Sequence, residues 1–305
     1  MRKQWKGRDI SKLTIAIPFY SNVALLEHAL KSAVGQTESD IEIIIVDDRG
    51  PDSAGAQTLV QKLGDSRIRY IQNEKNIGIG ANWNRCIELA SSSWVTLLHA
   101  DDILAPNYAA LMLKAAQANK DAAFIFCRAA IIDGAGQPTF SFADYVKKWI
   151  APAGDMELRG DHGLASLLKG CFIMCPTICY QRSKVIHKPF NQSMRQVLDF
   201  DLYARLLLDG EFLVGIKEHA YFYRRHSANQ TALLTASLVR FSEEVAFYDA
   251  IAQATKACGW NHSSNVAQRK TIIKLNLIYS ALSDFAYRRF QGARQKLGLL
   301  LQLSR

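Results

Sequence analysis

No run of about 18 consecutive apolar residues occurs in this 305-residue chain, which excludes a membrane-spanning helix as a reading of the sequence. The basic start, Met1 to Arg8, is followed by no apolar stretch of signal-peptide length, so a cytoplasmic location is expected. The six cysteines form no C-x-x-C pair, and without a secretory signal they read as free thiols in a reducing compartment. Cys171, Cys175 and Cys179 recur every four residues, but Pro176 interrupts the series, and buried packing is the better reading than a metal site. Gly78-Ile79-Gly80 lacks the third glycine of a dinucleotide-binding loop and stands too far from the preceding strand. Acid is scarce at the end of the chain. From Asn265 to Arg305 eight basic residues face one acid, Asp284, so this tail carries +7 of the formal +9. It contains no recognisable nucleic-acid-binding module, and no nucleic acid is expected as a partner.

What is present is alternation. Leu13–Pro18, Ile41–Val46, Ile68–Ile71 and the run opening at Trp94 read as strands. Helical periods at Val23–Val34, Ser53–Leu63 and Gly80–Ala90 separate them. This argues for an α/β fold, a doubly wound, mostly parallel sheet flanked by helices. Further on, Ala122–Cys127 and Phe212–Ile216 read as strands and Val197–Leu208 as a helix, with 133–160 a long loop. From Leu233 the pattern is helical to the end. The chain therefore divides into 1–230, the sheet-bearing part, and 231–305, a helical basic extension.

Two strands end in paired carboxylates, Asp47-Asp48 and Asp101-Asp102. On a parallel sheet both pairs fall on one edge, where ligands of open α/β sheets bind. Like charges gathered there call for a cation or hydrogen-bond donors, and a divalent metal on a diphosphate would supply the charge. The plain alternative is a pair of capping aspartates at a strand-to-helix turn. Tyr20, just past the first strand, could stack on a base. Asp199 and Asp201 open a helix, where the dipole alone would favour them, though a carboxylate so placed could equally be a general base. Arg224, Arg225 and His226 put two guanidiniums beside an imidazole, a cluster suited to a diphosphate.

The motifs P-F-Y at 18–20, E-x-A-L-x-S-A-V-x-Q-T at 27–37, I-I-V-D-D at 44–48, N-x-G-x-x-x-N-W-N at 76–84, H-A-D-D at 99–102, L-D-F-D-L-Y-A-R-L at 198–206 and Y-R-R-H at 223–226 follow one another in order. Together the chain resembles a family 2 glycosyltransferase over roughly residues 12–230. The resemblance implies a GT-A-like fold and inverting, hexosyl-type transfer from a nucleotide diphosphosugar, a UDP-sugar favoured, with Mg²⁺ or Mn²⁺ as cofactor. It implies that Pro18, Tyr20 and Asp48 border the base, with Asn84 at a nucleotide-binding position. His99 would contact ribose or phosphate, and Asp101 would take the metal-contacting place of the D-x-D site. It also implies that Asp199 is the catalytic base, Arg224 a diphosphate contact and His226 a metal contact. Two departures stand out: His99 replaces the first acid of D-x-D, and Leu198 replaces the Glu of an E-D pair.

The acceptor class is read as a glycan or a lipid-linked acceptor of surface polysaccharide or glycolipid assembly. For the tail two readings remain. Either its apolar residues are packed inward with the charges solvated, or the tail is an amphipathic basic surface resting on anionic lipid, peripheral at the inner face of the cell membrane. The competing functions are a non-catalytic sugar-nucleotide binder and a nucleotidyltransferase. The latter would carry a Gly-rich basic loop where Phe19-Tyr20-Ser21-Asn22 stands.

Overall fold

The computed structural model describes residues 12–140, 150–225 and 238–303. The chain divides into two compact units. The first comprises residues 1–130, 175–189 and 215–224, and the second residues 131–174, 190–214 and 225–305.

The first unit is built on a mixed sheet. β1 (Leu13–Phe19), β2 (Ile41–Asp47), β3 (Ile68–Gln72) and β4 (Trp94–Leu97) are joined by α1 (Val23–Val34), α2 (Ser53–Leu63) and α3 (Ile79–Leu89). These four strands pair in parallel, β1 with β2 and β4, and β2 with β3. β1, β2 and β4 are almost wholly buried, as near-continuous Ile, Val and Leu requires when both faces are covered. After β4 come β5 (Ile103–Leu104), α4 (Tyr108–Ala118) and β6 (Phe124–Ile132). The parallel character stops there. β8 (Ile178–Gln181) pairs antiparallel with β4 and β6, and β5 pairs antiparallel with β9 (Phe212–Arg224). The strand order is β3-β2-β1-β4-β8-β6-β9-β5. A buried amide helps lock the helices: Gln36 donates to the Ser32 and Ala105 carbonyls and accepts from the Ala109 N–H, so no polar group there is left without a partner.

The second unit is mostly helical. It contains β7 (Met156–Arg159) and α5 (Gly160–Leu168), while the short α6 (Arg182–Val185) belongs to the first unit. α7 (Leu198–Leu208), α8 (Val239–Ala257), α9 (Asn261–Arg269), α10 (Thr271–Ala286) and α11 (Phe290–Leu303) complete it. Phe200, Phe247 and Tyr248 form an aromatic cluster between α7 and α8, and Tyr248 Oη donates to the Leu168 carbonyl at 2.8 Å.

The sheet corrects three sequence readings. Residues 156–160, placed in the loop spanning 133–160, are β7 and the first residue of α5: β7 pairs with β9, and the Arg159 guanidinium lies over the Phe212 ring at 4.1 Å. β9 runs to Arg224 rather than ending at Ile216, because its polar Lys217, Glu218 and His219 hid the strand from a hydrophobic reading. β6 likewise runs on through half-exposed residues to Ile132. All six cysteines are free thiols. Cys86, Cys127 and Cys179 are buried, and burial pushes the Cys127 and Cys179 thiols up to about 12.

Candidate active site

The carboxyl ends of the parallel strands bring the candidate residues to one edge of the first unit. Phe19 registers with Asp47 and Asp47 with Gln72, so Tyr20, Asp48 and Asn73 leave the sheet side by side. The Asp48 N–H donates to the Phe19 carbonyl at 2.8 Å, and the Asn73 N–H donates to the Asp47 carbonyl at 2.8 Å.

The two adjacent acids at the end of β2, Asp47 within it and Asp48 just past it, do different work, since successive residues of an extended chain point to opposite faces. Asp47 is fully buried and accepts from Tyr70 Oη and from Gln72 Nε2 at 3.2 Å. Asp48 turns to the next loop. Its Oδ1 accepts from Asn73 Nδ2 at 2.9 Å and the Ile77 N–H at 2.8 Å, and its Oδ2 from the Gly78 N–H at 2.9 Å. This carboxylate therefore fixes the chain entering α3. Asn82 reinforces the clamp, accepting from Asn73 and donating to the Val46 carbonyl. The same helix carries Asn84, buried on α3. Pro18 lies half-buried near the end of β1, and the Tyr20 ring beyond it is 49% exposed. The β2 loop approaches Tyr20 so closely that a Cβ on Gly50 would lie 1.6 Å from the Tyr20 carbonyl oxygen.

Beyond β4, His99, Asp101 and Asp102 each place a ligand atom within 4.8 Å of the others. The Trp83 ring stacks on His99, centroids 5.2 Å apart, and orients it. His99 Nδ1 lies 3.9 Å from Asp102 Oδ2. Its Nε2 is buried and has no hydrogen-bond partner among the described residues. Burial lowers the His99 pKa, so the ring is neutral and can offer a lone pair. Asp102 is fully buried. Its Oδ2 accepts from Tyr221 Oη at 2.9 Å and its Oδ1 from the Arg224 N–H at 2.7 Å. Desolvation, then the neighbouring Asp101 charge, raises its pKa well above the ordinary carboxylate value despite those donors. Arg224 is fully buried too, and its Nε donates to the Asp101 carbonyl at 2.7 Å. An imidazole and two carboxylates suit a small divalent cation, and the partnerless His99 nitrogen fits such an ion. Asp101 would hold it, with His99 beside it and Asp102 already engaged with β9.

A family match decides what this edge belongs to. The model of glycosyl transferase family 2 matches residues 14–191. The chain belongs to glycosyl transferase family 2. An uncharacterized glycosyltransferase of Rickettsia prowazekii is 26% identical over 229 residues, 72% of this chain and 67% of that protein. A Campylobacter jejuni GalNAc(5)-diNAcBac-PP-undecaprenol beta-1,3-glucosyltransferase is 37% identical over 108 residues, 34% of each chain. The chain spans only 29% and 31% of the length of two other curated relatives that it matches. Among solved structures, Staphylococcus aureus TarS 1-349 in complex with UDP-GlcNAc superposes with a TM-score of 0.64 at 15% identity, covering 96% of this chain and 81% of that one. The mannosyltransferase PcManGT of Pyrobaculum calidifontis, in complex with GDP-Man and Mn²⁺, gives 0.59 at 12% identity, covering 99% and 88%. These structures share the GT-A fold with this glycosyltransferase domain.

Of the residues singled out in the sequence, Pro18, Tyr20, Asp48, Asn84, His99, Asp101 and Arg224 all belong to the first unit. Asp199 lies in the second unit, in the first turn of α7 beside Asp201, which pairs with Arg205 at 2.8 Å. His226 lies outside the described residues. Sequence reasoning passed over Trp83 and Tyr221. Trp83 stood in plain view between Asn82 and Asn84, but nothing in sequence spacing links it, or Tyr221, to residues 99–102.

Proposed function

We propose that this protein is an inverting glycosyltransferase that moves a sugar from a nucleotide diphosphosugar, a UDP-sugar favoured, to an acceptor hydroxyl. The observation that carries the reading is the His99–Asp101–Asp102 cluster on the same sheet edge as Tyr20 and the Asp48 clamp. Tyr20 and Pro18 border the base, and Asp48 and Asn84 shape the nucleotide pocket through the chain entering α3. Asp101, with His99, holds Mg²⁺ or Mn²⁺, and His226 is a further ligand. When bound, the ion offsets charge on the departing nucleoside diphosphate. Arg224 braces the acid-bearing turn that presents those ligands, and its charge adds to the field at the diphosphate. Asp199 removes the proton from the attacking acceptor hydroxyl. The catalytic part is residues 1–230, with 231–305 its extension.

The acceptor is a glycan or a lipid-linked carrier in surface polysaccharide or glycolipid assembly, reached from the cytoplasmic side of the membrane. The substrate in the name of the Campylobacter relative, GalNAc(5)-diNAcBac-PP-undecaprenol, supports that choice. The competing reading is a binder of sugar nucleotides without transfer, for which the replacement of an acid by His99 speaks.

A thermal-shift panel of UDP, GDP, CDP and dTDP, each with and without Mn²⁺, tests the proposal. A ligand that binds only the folded state raises its apparent stability, by about 2.7 kcal/mol at a hundred times Kd. A metal-dependent rise with UDP is expected, and its loss in Asp101→Ala. A flat panel sinks the reading. A rise without release of UDP from any UDP-sugar in the presence of acceptor favours the binder.

A further inference from the structure

α10 and α11 form a helical hairpin that shows apolar residues outward as well as inward. Ile273, Leu277 and Ala281 are buried. At 100° per residue Leu275 and Leu282 lie on the opposite side of α10, and they are 56% and 63% exposed. On α11, Phe290, Leu297 and Leu301 recur at i, i+7 and i+11, a single stripe, with Arg294 beside it. The turn between the helices adds Tyr287, 70% exposed, and the Phe285 and Phe290 rings meet edge to face across it.

The charge on this hairpin has one sign. Its single acid, Asp284, faces inward and accepts from the buried Lys296 Nζ at 2.6 Å, with Arg289 4.0 Å away. The exposed charges that remain, Arg288, Arg289 and Arg294 with the half-exposed Lys274, are all basic. Two copies meeting through this face would set guanidinium against guanidinium with no acid to separate them. A lipid surface supplies what the hairpin lacks: phosphates for the basic residues and acyl chains for Leu, Phe and Tyr. No helix among the described residues is long and apolar enough to cross a membrane, so the contact is interfacial.

We propose that the α10–α11 hairpin is a membrane-docking surface that lies in the headgroup region of an anionic bilayer, with Tyr287 and Phe290 inserted at its tip. The aromatic tip sets the depth and the arginines select anionic lipid. The inference does not rest on the transfer reaction, since the hairpin needs no donor or acceptor to bind.

The test is flotation of the full chain with phosphatidylcholine vesicles, with and without phosphatidylglycerol, at low and high salt. Binding is expected only with phosphatidylglycerol, and weakened by salt. Each arginine near an anionic surface is worth about fivefold in partitioning, so R288Q with R294Q should lower binding roughly 25-fold. Y287S with F290S should lower it roughly tenfold or more. All four positions are exposed, so far-UV circular dichroism should report folded variants. Wild-type protein that fails to float, or variants that float as well as wild type, overturn the proposal. A wild-type dimer by light scattering that these substitutions dissociate, with vesicle binding unchanged, assigns the face to a second copy and overturns it equally.

Discussion

Replacing Gly50 with alanine should disturb the nucleotide edge while leaving every proposed ligand-contacting side chain in the sequence. The added Cβ would sit 1.6 Å from the Tyr20 carbonyl oxygen and 2.5 Å from its carbonyl carbon. Backbone atoms cannot rotate aside as a flexible side chain would. Restoring an ordinary 3.4 Å contact means separating the two segments by roughly 1.8 Å. That separation strains the Asp48 N–H bond to the Phe19 carbonyl, which ties β2 to β1 at this point. Overpacking costs about 1–3 kcal/mol, and a lost hydrogen bond about 0.5–1.5 kcal/mol more. A total of about 2–4 kcal/mol lowers Tm by roughly 5–15 °C for a unit of this size. A displaced Tyr20 would also lose the stacking on the base proposed for it, about 1–3 kcal/mol per base, or roughly five- to 150-fold in nucleoside diphosphate affinity. Differential scanning fluorimetry and titration calorimetry read the two effects. Gly134, whose added Cβ would meet nothing within 4 Å, is the control, and G134A should change neither. A G50A protein with unaltered Tm and an affinity within twofold of wild type refutes the reasoning. An unaltered affinity with a lowered Tm refutes only the role of Tyr20.

Two further outcomes are expected. Asp199→Asn should lower sugar transfer by about a hundredfold or more while nucleotide affinity holds, as loss of a general base requires; equal loss of both, measured by turnover and calorimetry, counts against that role. Asp161 caps α9 from a distant helix, accepting from the His262 and Ser263 N–H groups and from Ser263 Oγ. Burial works to raise its carboxyl, but these bonds outweigh it and hold the pKa below the ordinary 3.8. The stabilisation is therefore present above pH 3.8 and fades as pH falls through the lower folded value. D161A should cost about 1–2 kcal/mol near neutrality, and less below pH 3.8, by denaturant titration; a pH-independent cost would contradict this.

The strands that carry the site were legible because each is buried on both faces, and burial writes itself as continuous Ile, Val and Leu in β1, β2 and β4. β9 was legible only at its start. Further along, one side of the strand is exposed, and Lys217, Glu218 and His219 fit a sheet edge as well as they fit a loop. The antiparallel insertion of β8 beside β4 depends on contacts between residues more than eighty positions apart, which local pattern does not encode. Within the site the sequence showed two aspartate pairs but could not divide their labour. Only the alternation of the strand separates Asp47, turned to Tyr70, from Asp48, turned to the chain entering α3. The pairing of Asp102 with Tyr221 and Arg224 was likewise hidden, since a carboxylate next to Asp101 looks equally fit to bind a ligand.

The course of the chain bears on the order in which these parts can be made. It passes between the two units five times, at residues 130, 174, 189, 214 and 224. As a ribosome extends the polypeptide, β1 to β4 can pair early, but β8 and then β9 must emerge before the first unit closes. Until Tyr221 and Arg224 are synthesised, Asp102 has neither donor, and the acidic turn beyond β4 stays unfinished. Domains usually fold in turn as they leave the ribosome. Here the first unit cannot close until some 120 residues past its own acids have been made. For the first part of that interval, until β8 is made, one edge of β4 has no partner strand.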